Sequence, residues 1–188
     1  MADDIILVDE KDNPVGTGEK MDVHCKGILH RAFSILIYNS KLQILLQKRA
    51  GSKYHCPGLW TNTCCSHPKP GEKLVMAAER RLKEEMGIEV PIRRTGLKFI
   101  YKVKVGELTE HEYDHILCGN FDGNPILNPE EADDWKWISP KDLRDDMMAN
   151  PEKYTPWFAL ILRTIGKGAE TIPVPGLEKY KVIGPNKK

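Results

Sequence analysis

The chain has 188 residues, of which 40% are hydrophobic and 29% are charged, with a formal net charge of +1. This length and apolar content predict one domain with a sizeable core. The near-neutral charge disfavours nucleic acid and anionic membranes as partners, because both usually require a large basic excess. No apolar run of about 18 residues and no signal-peptide pattern is present, so neither a membrane span nor secretion is expected.

Five cysteines without paired CxxC spacing favour a reduced, intracellular protein, and we expect it to be cytoplasmic. Cys56 and Cys118 are expected to be small buried residues. The sequence contains no coiled-coil seam, which favours a monomer. We expect residues 1–170 to form a single domain and residues 171–188 to form a polar, basic tail, loosely held from Lys179 onward.

Three short strands are predicted in the first fifty residues: Ile5–Asp9, Arg31–Tyr38 and Leu42–Lys48. The last two are apolar, β-branched runs on either side of Asn39-Ser40-Lys41, which is typical of a hairpin. Asn13-Pro14 predicts a turn. Residues 51–71 are rich in Gly, Pro and His, and loops of this length usually carry function.

A helix is predicted at Glu72–Met86, because its apolar residues recur at helical spacing, and Gly87 suits a left-handed cap at its end. Further strands are predicted at Leu97–Val105, Glu112–Phe121 and Trp135–Ile138. Two more helices are predicted to begin at Ser139-Pro140 and at Thr155-Pro156, the second ending at Ile165. Strands outnumber helices without regular alternation, which indicates an α+β fold in which helices pack on a mixed sheet.

On the Glu72–Met86 helix, Arg81 and Glu85 lie four residues apart, as do Arg80 and Glu84. This spacing predicts two surface ion pairs, each worth about 0.3–0.5 kcal/mol. The alternative is that Glu85 faces inward and binds Mg²⁺, which prefers oxygen ligands when it also holds a diphosphate.

A thiol and an imidazole lie two residues apart in Trp60-Thr-Asn-Thr-Cys-Cys-Ser-His-Pro68. In an extended segment Cys64 and Cys65 point to opposite faces, and two-residue alternation places Cys65 on the side of His67. Cys64 is then expected to be a packing residue.

The same alternation in Thr109–His115 places Glu110 and Glu112 on one face of a strand, with His111 and His115 on the other. Two neighbouring carboxylates repel each other unless a cation or a proton intervenes. Any single histidine is an ordinary polar residue, but three imidazoles with two carboxylates suit a borderline divalent ion such as Zn²⁺ or Mn²⁺. The candidate nitrogen ligands are His24, His30 and His67.

The helix and the turn before it resemble the Nudix signature in several positions: Gly71-Glu72, Ala77-Ala78, Arg80, Leu82, Glu84-Glu85 and Gly87-Ile88. One position departs from the signature, because Arg81 stands where Nudix hydrolases carry a glutamate. In those hydrolases the glutamates gather metal ions that activate water. A cation at this position weakens a hydrolytic site and supplies a phosphate-binding fork, so hydrolysis is not expected.

With this arginine and the motifs TNTCCSHP, HRAFS and EHEYDH, the chain resembles the type 1 isopentenyl-diphosphate isomerases. The resemblance extends from about Ile6 to Ile165. The resemblance implies a Nudix-type mixed β-sheet sandwiched between helices. It also implies interconversion of isopentenyl and dimethylallyl diphosphate through a tertiary carbocation, for isoprenoid biosynthesis. Glu112 is expected to deliver a proton while Cys65 removes one, and reversibility exchanges the roles with direction.

The resemblance assigns the remaining roles as well. Tyr101 is expected near the proton path and Trp157 over the carbocation. The diphosphate is expected to bind to four basic side chains: Lys20, Arg49, Lys53 and Arg81. Mg²⁺ is expected on Glu85 with the diphosphate, and one Mn²⁺ or Zn²⁺ on five ligands: His24, His30, His67, Glu110 and Glu112.

Three alternatives stay open at this point. His24 precedes His30 by one residue fewer than the bacterial family spacing, so His55 or Cys25 is an alternative ligand. A Nudix hydrolase explains the helix but leaves Cys65 without a role. A zinc-stabilised binding module uses the histidines and glutamates, and it also has no use for the thiol.

Overall fold

In the computed structural model, which describes residues 4–166, 169 and 172–183, the chain forms ten strands and four α-helices. The strands are β1 (Asp4–Val8), β2 (Pro14–Glu19), β3 (His30–Tyr38), β4 (Ile44–Arg49), β5 (Trp60–Thr61), β6 (Cys64–Ser66), β7 (Arg93–Val105), β8 (Leu108–Asn120), β9 (Ala132–Ile138) and β10 (Leu177–Ile183). The helices are α1 (Lys20–Lys26), α2 (Leu74–Met86), α3 (Pro140–Ala149) and α4 (Pro156–Ile165), with a 3-10 turn at Pro151–Lys153.

The strands form one mixed sheet with β3 and β8 at its centre. Strands run in the order β10-β7-β8-β3-β1-β2, and β3 and β8 are parallel while their other neighbours are antiparallel. β4 pairs with the end of β3 and continues the sheet through β9, and β6 also pairs with β3. The central strands are therefore covered on both faces, which explains their continuous apolar composition.

Helices cover the two faces of the sheet around two separate hydrophobic clusters. Along β3, Ile35 and Ile37 pack with α2, whereas the intervening Leu36 packs with α3 and α4 on the other face. Alternation along a strand produces this division, because successive side chains point to opposite faces. The prediction of a mixed sheet sandwiched between helices is confirmed.

Helix α2 begins at Leu74 rather than Glu72, because Lys73 is extended and occupies the N-cap position. Its last residue is Met86, and Gly87 caps it. Gly87 has φ 64° and donates its N–H to the carbonyl of Lys83, as the predicted left-handed cap requires. A side chain at position 87 would also meet the carbonyl oxygen of Ile126 at 2.7 Å. Glycine is thus required here for both conformation and space.

Residues 51–71, expected to be a loop, contain the two short strands β5 and β6. Two further elements that were not predicted, β2 and α1, precede β3. The turn predicted at Asn13-Pro14 lies at residues 9–13, where the Asp9 carboxylate accepts backbone N–H groups, and β2 then begins at Pro14. β2 is an exposed edge strand containing two glycines, so it lacks an apolar pattern. Helix α1 has only seven residues and is capped by the Glu19 side chain, a residue type that seldom marks a helix start.

The predicted tail requires a correction. Residues 177–183 form β10, which pairs antiparallel with β7 and places Tyr180 opposite Tyr101. Its polar composition arises because it is an edge strand with one solvated face. Residues 184–188 lie outside the described part of the chain. Of the two cysteines expected in the core, Cys56 is buried and Cys118 is half-buried.

Among the residues that the structure describes, no helix combines the length and the apolar character needed to cross a membrane.

Candidate active site

Strand register brings three polar side chains together at the centre of the sheet. His30 on β3 lies opposite Glu112 on β8, and Tyr101 on β7 lies opposite the same glutamate. The Tyr101 hydroxyl donates to Glu112 Oε2 at 2.7 Å, and His30 Nε2 lies 3.6 Å from Glu112 Oε1. A row across three neighbouring strands therefore presents an acid, a phenol and an imidazole on one face.

The thiol reaches the same face through β6. Cys64 is fully buried and contacts the α2 cluster, whereas Cys65 is partly exposed, as alternation predicts. The Cys65 thiol donates to Asn62 Oδ1 at 2.9 Å and lies 3.4 Å from Ser34 Oγ. Ser34 Oγ in turn lies 2.7 Å from Asp114 Oδ2.

These polar neighbours of Cys65 were missed in the sequence. Asp114 is fully buried, and the alternation that pairs Glu110 with Glu112 also places Asp114 on their face. That signal was therefore available. No pattern marked Ser34 or Asn62, because each contacts Cys65 only after separate segments of the chain have folded together.

Three histidines converge on Glu112. One ligand atom from each of His24, His30, His67 and Glu112 lies within 4.8 Å of the others. His30 Nδ1 donates to the carbonyl of Ile28 at 2.8 Å, and its Nε2 lies 3.2 Å from His67 Nε2. His24 Nδ1 likewise donates to a backbone carbonyl, at 2.6 Å. Backbone carbonyls thus fix both tautomers and leave the Nε2 lone pairs aimed at one point, which suits a divalent cation.

Glu110 lies beside this group rather than within its four closest members. Its Oε2 is 3.2 Å from His24 Nε2, and its Oε1 is 3.0 Å from His55 Nε2. His55, the alternative ligand considered from the sequence, therefore contacts the second carboxylate. The other alternative, Cys25, is exposed and is not part of the converging group.

Burial and hydrogen bonding give the two candidate acid–base groups opposite charge states. Burial raises the pKa of the Cys65 thiol well above its usual range, and the nearby Asp114 carboxylate adds to this effect. Burial also raises the pKa of Glu112, but the nearby imidazoles of His30 and His67 outweigh burial and lower it to about 2. The pair therefore holds one proton, and that proton is on sulfur.

These side chains line a single cleft, which we call the central cleft. Every site residue predicted from the sequence lines it except His30, which is buried behind it. The residues lining it are Lys20, His24, Arg49, Lys53, Tyr54, His55, Cys65, Ser66, His67, Arg81, Glu85, Tyr101, Glu110, Glu112, Glu131 and Trp157.

One side of the central cleft is cationic. Arg49 is buried and donates to the carbonyl of His55, and within the described residues it has no carboxylate partner. Burial and the nearby charge of Lys53 lower the pKa of Lys20. Buried cations that repel one another stabilise a bound anion, so this side of the cleft suits a phosphate group.

Arg81 connects the cations to three carboxylates. Its guanidinium donates to Glu84 at 2.7 Å, to Glu85 at 2.7 Å and to Glu131 at 2.9 Å. The four-residue spacing predicted the ion pair between Arg81 and Glu85. Glu85 also faces inward, as the alternative prediction required, because its side chain is only 4% exposed. Glu131, which also accepts from Lys53, was not predicted because it follows a loop with no helical or strand period.

Trp157 opens α4 and reaches the central cleft from the side opposite α2. Its indole Nε1 donates to Thr61 Oγ1 at 3.0 Å, which fixes the ring plane. The ring centroid lies 5.6 Å from that of His55 and 5.5 Å from the guanidinium carbon of Arg49. Within the cleft the indole therefore packs against the Arg49 guanidinium and the His55 ring.

Comparison with known proteins identifies the fold and the family of the chain. A family model described as NUDIX domain matches residues 28–158. A Deinococcus radiodurans structure superposes with a TM-score of 0.70 at 21% identity, covering 87% of this chain and 99% of that one. A MutT protein of Methanosarcina mazei gives 0.56 at 19% identity, covering 69% and 87%. At these identities the two structures support the fold alone, and the chain belongs to the NUDIX-domain proteins.

Closer relatives narrow the class. The chain is 51% identical to isopentenyl-diphosphate Delta-isomerase 2 of Aromatoleum aromaticum over 163 residues, 86% of each protein. It is 50% identical to isopentenyl-diphosphate Delta-isomerase of Serratia proteamaculans, over 88% of this chain and 93% of that one. Within the NUDIX-domain proteins, the chain therefore belongs to the isopentenyl-diphosphate Delta-isomerase family, and the enzyme class predicted from its motifs is confirmed.

Proposed function

We propose that this isomerase interconverts isopentenyl and dimethylallyl diphosphate with Cys65 and Glu112 as its acid–base pair. Allylic isomerisation adds a proton at one carbon and removes a proton from another. The observation that carries the proposal is that these two groups line one cleft. Burial raises the pKa of the thiol and the nearby imidazoles lower that of Glu112, so the two groups together hold one proton. A pair with one proton supplies one donor and one acceptor, which is what a reversible proton shift requires.

Which of the two groups carries the proton depends on the direction of the isomerisation. In the ion-free chain the thiol is neutral and the Glu112 carboxylate is ionised. From the sequence, Glu112 is expected to protonate isopentenyl diphosphate and Cys65 to remove a proton. A neutral thiol with an ionised carboxylate is the state from which the return reaction starts. In each turnover one group gives its proton to one carbon of the substrate, and the other group takes a different proton from another carbon, so the two directions use the same pair.

Tyr101 and Trp157 complete the hydrocarbon side of the site. The Tyr101 hydroxyl donates to Glu112 at 2.7 Å and so holds the carboxylate in position beside the cleft. The Trp157 ring offers a π face to a tertiary carbocation, worth roughly 0.5–2 kcal/mol, and both residues are buried and exclude water. Exclusion of water protects the cation from capture as an alcohol.

The diphosphate binds at the cationic side of the cleft, on Lys20, Arg49, Lys53 and Arg81. Anchoring the charged end gives a short hydrocarbon one orientation, which is how binding remote from the reacting carbons assists the reaction.

Two divalent ions fit the donor sets. His24, His30, His67 and Glu112, with Glu110 beside them, would hold Zn²⁺ or Mn²⁺, and the inward Glu85 would hold Mg²⁺ with the diphosphate. When bound, such ions supply charge that neutralises the diphosphate and orients Glu112. We further propose a cytoplasmic monomer whose partner is the small-molecule diphosphate, with no nucleic-acid or membrane partner.

Deuterium incorporation tests the acid–base pair. Purified protein is incubated with isopentenyl diphosphate and divalent metal in D₂O, and the products are analysed by mass spectrometry. Cys65→Ala is expected to lower the rate by at least about 10²-fold. Cys64→Ala is the matched control, since it removes a neighbouring buried thiol that packs against α2, and it should remain active. Parental activity in Cys65→Ala would rule out the role of the thiol.

Phosphate release measured in the same reactions tests the hydrolase alternative. The guanidinium of Arg81 stands among carboxylates that would otherwise gather metal ions, which disfavours hydrolysis. We therefore expect double-bond transposition without release of phosphate. Release that matches or exceeds isomerisation would favour the hydrolase.

A further inference from the structure

We infer that Thr61 and Asn62 are positioning residues that hold the Cys65 thiol and the Trp157 indole in one fixed arrangement. The inference rests on the proposed function, because it concerns the placement of two groups assigned to the reaction. Both side chains are buried, Thr61 at 1% exposure and Asn62 at 0%, and neither lines the central cleft. They therefore act through the residues they contact.

Asn62 has only one orientation available. Its amide nitrogen donates to the carbonyls of Ile35 at 3.1 Å and Cys64 at 3.0 Å, which uses both N–H groups. A rotated amide would place its oxygen against two carbonyl oxygens, so Oδ1 must face the sulfur. The Cys65 thiol donates to this oxygen at 2.9 Å, and the position of Asn62 thus sets the direction of the S–H bond.

Thr61 connects this amide to the indole. Its hydroxyl accepts from Trp157 Nε1 at 3.0 Å and donates to Asn62 Oδ1 at 3.1 Å. Thr61 Oγ1 also lies 2.9 Å from Thr155 Oγ1, and the Thr155 hydroxyl can donate to its second lone pair. Every donor and acceptor in this chain of hydrogen bonds is satisfied, and a fully satisfied buried network is rigid.

The network therefore runs from the sulfur to the indole through two side chains. One end is the group that exchanges a proton, and the other is the ring that faces the carbocation. Displacement of a reacting group by about 1 Å can reduce a rate about 10²-fold without preventing substrate binding. Among the described residues, the basic side chains of the cleft make no hydrogen bond to Thr61 or Asn62, so loss of the network should change kcat more than KM.

Thr61→Val tests the inference, because it removes the hydroxyl and keeps the shape of the side chain. We expect kcat to fall at least about tenfold while KM for isopentenyl diphosphate stays within about twofold. Thr61→Ser restores the hydroxyl and should recover most of the parental kcat. If Thr61→Val does not fold, Thr61→Cys replaces it, since a thiol of similar size forms only weak hydrogen bonds.

Thr63→Val is the matched control. Thr63 is also fully buried, accepts from the N–H of Ile37 at 3.0 Å and donates to the carbonyl of Leu45 at 2.7 Å. It lies two residues away but has no hydrogen bond to the thiol or the indole. We expect Thr63→Val to lower thermal stability to a similar extent and to keep the parental kcat.

Two outcomes would overturn the inference: a parental kcat in Thr61→Val, or an equal loss of kcat in both valine variants. Either result leaves the proposed function intact, because that function is tested separately by Cys65→Ala. Conversely, parental activity in Cys65→Ala refutes the role of the thiol whatever the threonine variants show.

Discussion

Glu131 lines the central cleft and accepts from both Lys53 and Arg81, two of the cations that we propose for the diphosphate. In the free protein this carboxylate therefore satisfies donors that the proposal assigns to the substrate. Under that proposal, binding would exchange one anion for another, and the internal carboxylate would lower the affinity for the substrate.

Replacing Glu131 by Gln should strengthen anion binding and weaken the fold. Loss of two ion pairs frees Lys53 and Arg81, so the Kd for pyrophosphate with Mg²⁺ should fall severalfold. Thermal stability should fall because Lys53 loses its carboxylate partner and Arg81 loses one of its three. Calorimetric titration and a melting curve measure these opposite changes.

Glu130→Gln is the control for this experiment, since it removes the same charge from an exposed neighbour that makes no ion pair with the described residues. A higher Kd for pyrophosphate in Glu131→Gln would show instead that the carboxylate aligns the cations for the substrate.

Helix α3 shows how local sequence specifies an element boundary. Ser139 is extended and accepts the N–H of Asp142 at 3.1 Å, and Pro140 follows at the first helical position. The hydroxyl satisfies a donor that otherwise has no partner within the helix. Both the serine cap and the proline were predicted, because this signal involves only neighbouring residues.

Ser139→Ala should lower the free energy of unfolding by about 1 kcal/mol and leave kcat unchanged. Its helix packs through Leu143 and Met147 against the core and contributes no residue to the central cleft. Urea denaturation with parallel kinetics measures both quantities. Ser139→Thr keeps the hydroxyl, which also donates to the Asp142 carboxylate, and should retain the parental stability. Equal losses in both variants would argue against a capping role.

Elements with a long apolar period were predicted closely, and short or polar elements were not. Helix α4 has the predicted start and end, and α2 begins two residues late because the capping position is extended. β10 was assigned to a tail, since its polar residues indicate a strand only once β7 is present as a partner. Edge strands have half their surface in water, and their composition therefore resembles that of a loop.

The whole molecule contains several buried groups whose protonation opposes folding in acid. Burial lowers the pKa of His67 from 6.5 to about 3. Below about pH 6.5 the unfolded chain binds a proton on this imidazole that the folded chain does not bind until about pH 3. The free energy of unfolding therefore falls as the pH drops through this range. Glu112, with its pKa lowered to about 2, acts in the same direction at still lower pH.

Contacts with Glu110 outweigh burial and raise the pKa of His24, which acts in the opposite direction, so the test compares the parent with His67→Gln. Between about pH 7 and about pH 5, without metal, we expect the variant to retain more of its stability than the parent does. Urea denaturation in the presence of a chelator measures the slope for each protein. Added divalent metal should raise the melting temperature of the parent more than that of the variant, because the variant lacks one ligand. Identical pH slopes in the two proteins would contradict the assignment of a buried neutral imidazole.

The amino-acid sequence by itself determined the fold class, the capped ends of α2 and α3, the start of α4 and the face on which Glu110 and Glu112 lie. These features depend on periodicity and on contacts between near neighbours in the chain. Motifs in combination also determined the family and most of the residues that line the central cleft.

Only the tertiary structure decided how those residues are held. The contacts of Ser34 with Asp114 and of Thr61 with Trp157 join positions 80 and 96 residues apart, and Glu131 reaches Arg81 across 50 residues. No local pattern specifies such pairs, because a polar residue in a loop has the same composition whether it meets water or a partner. The partner is chosen when sheet register and helix packing bring distant segments together.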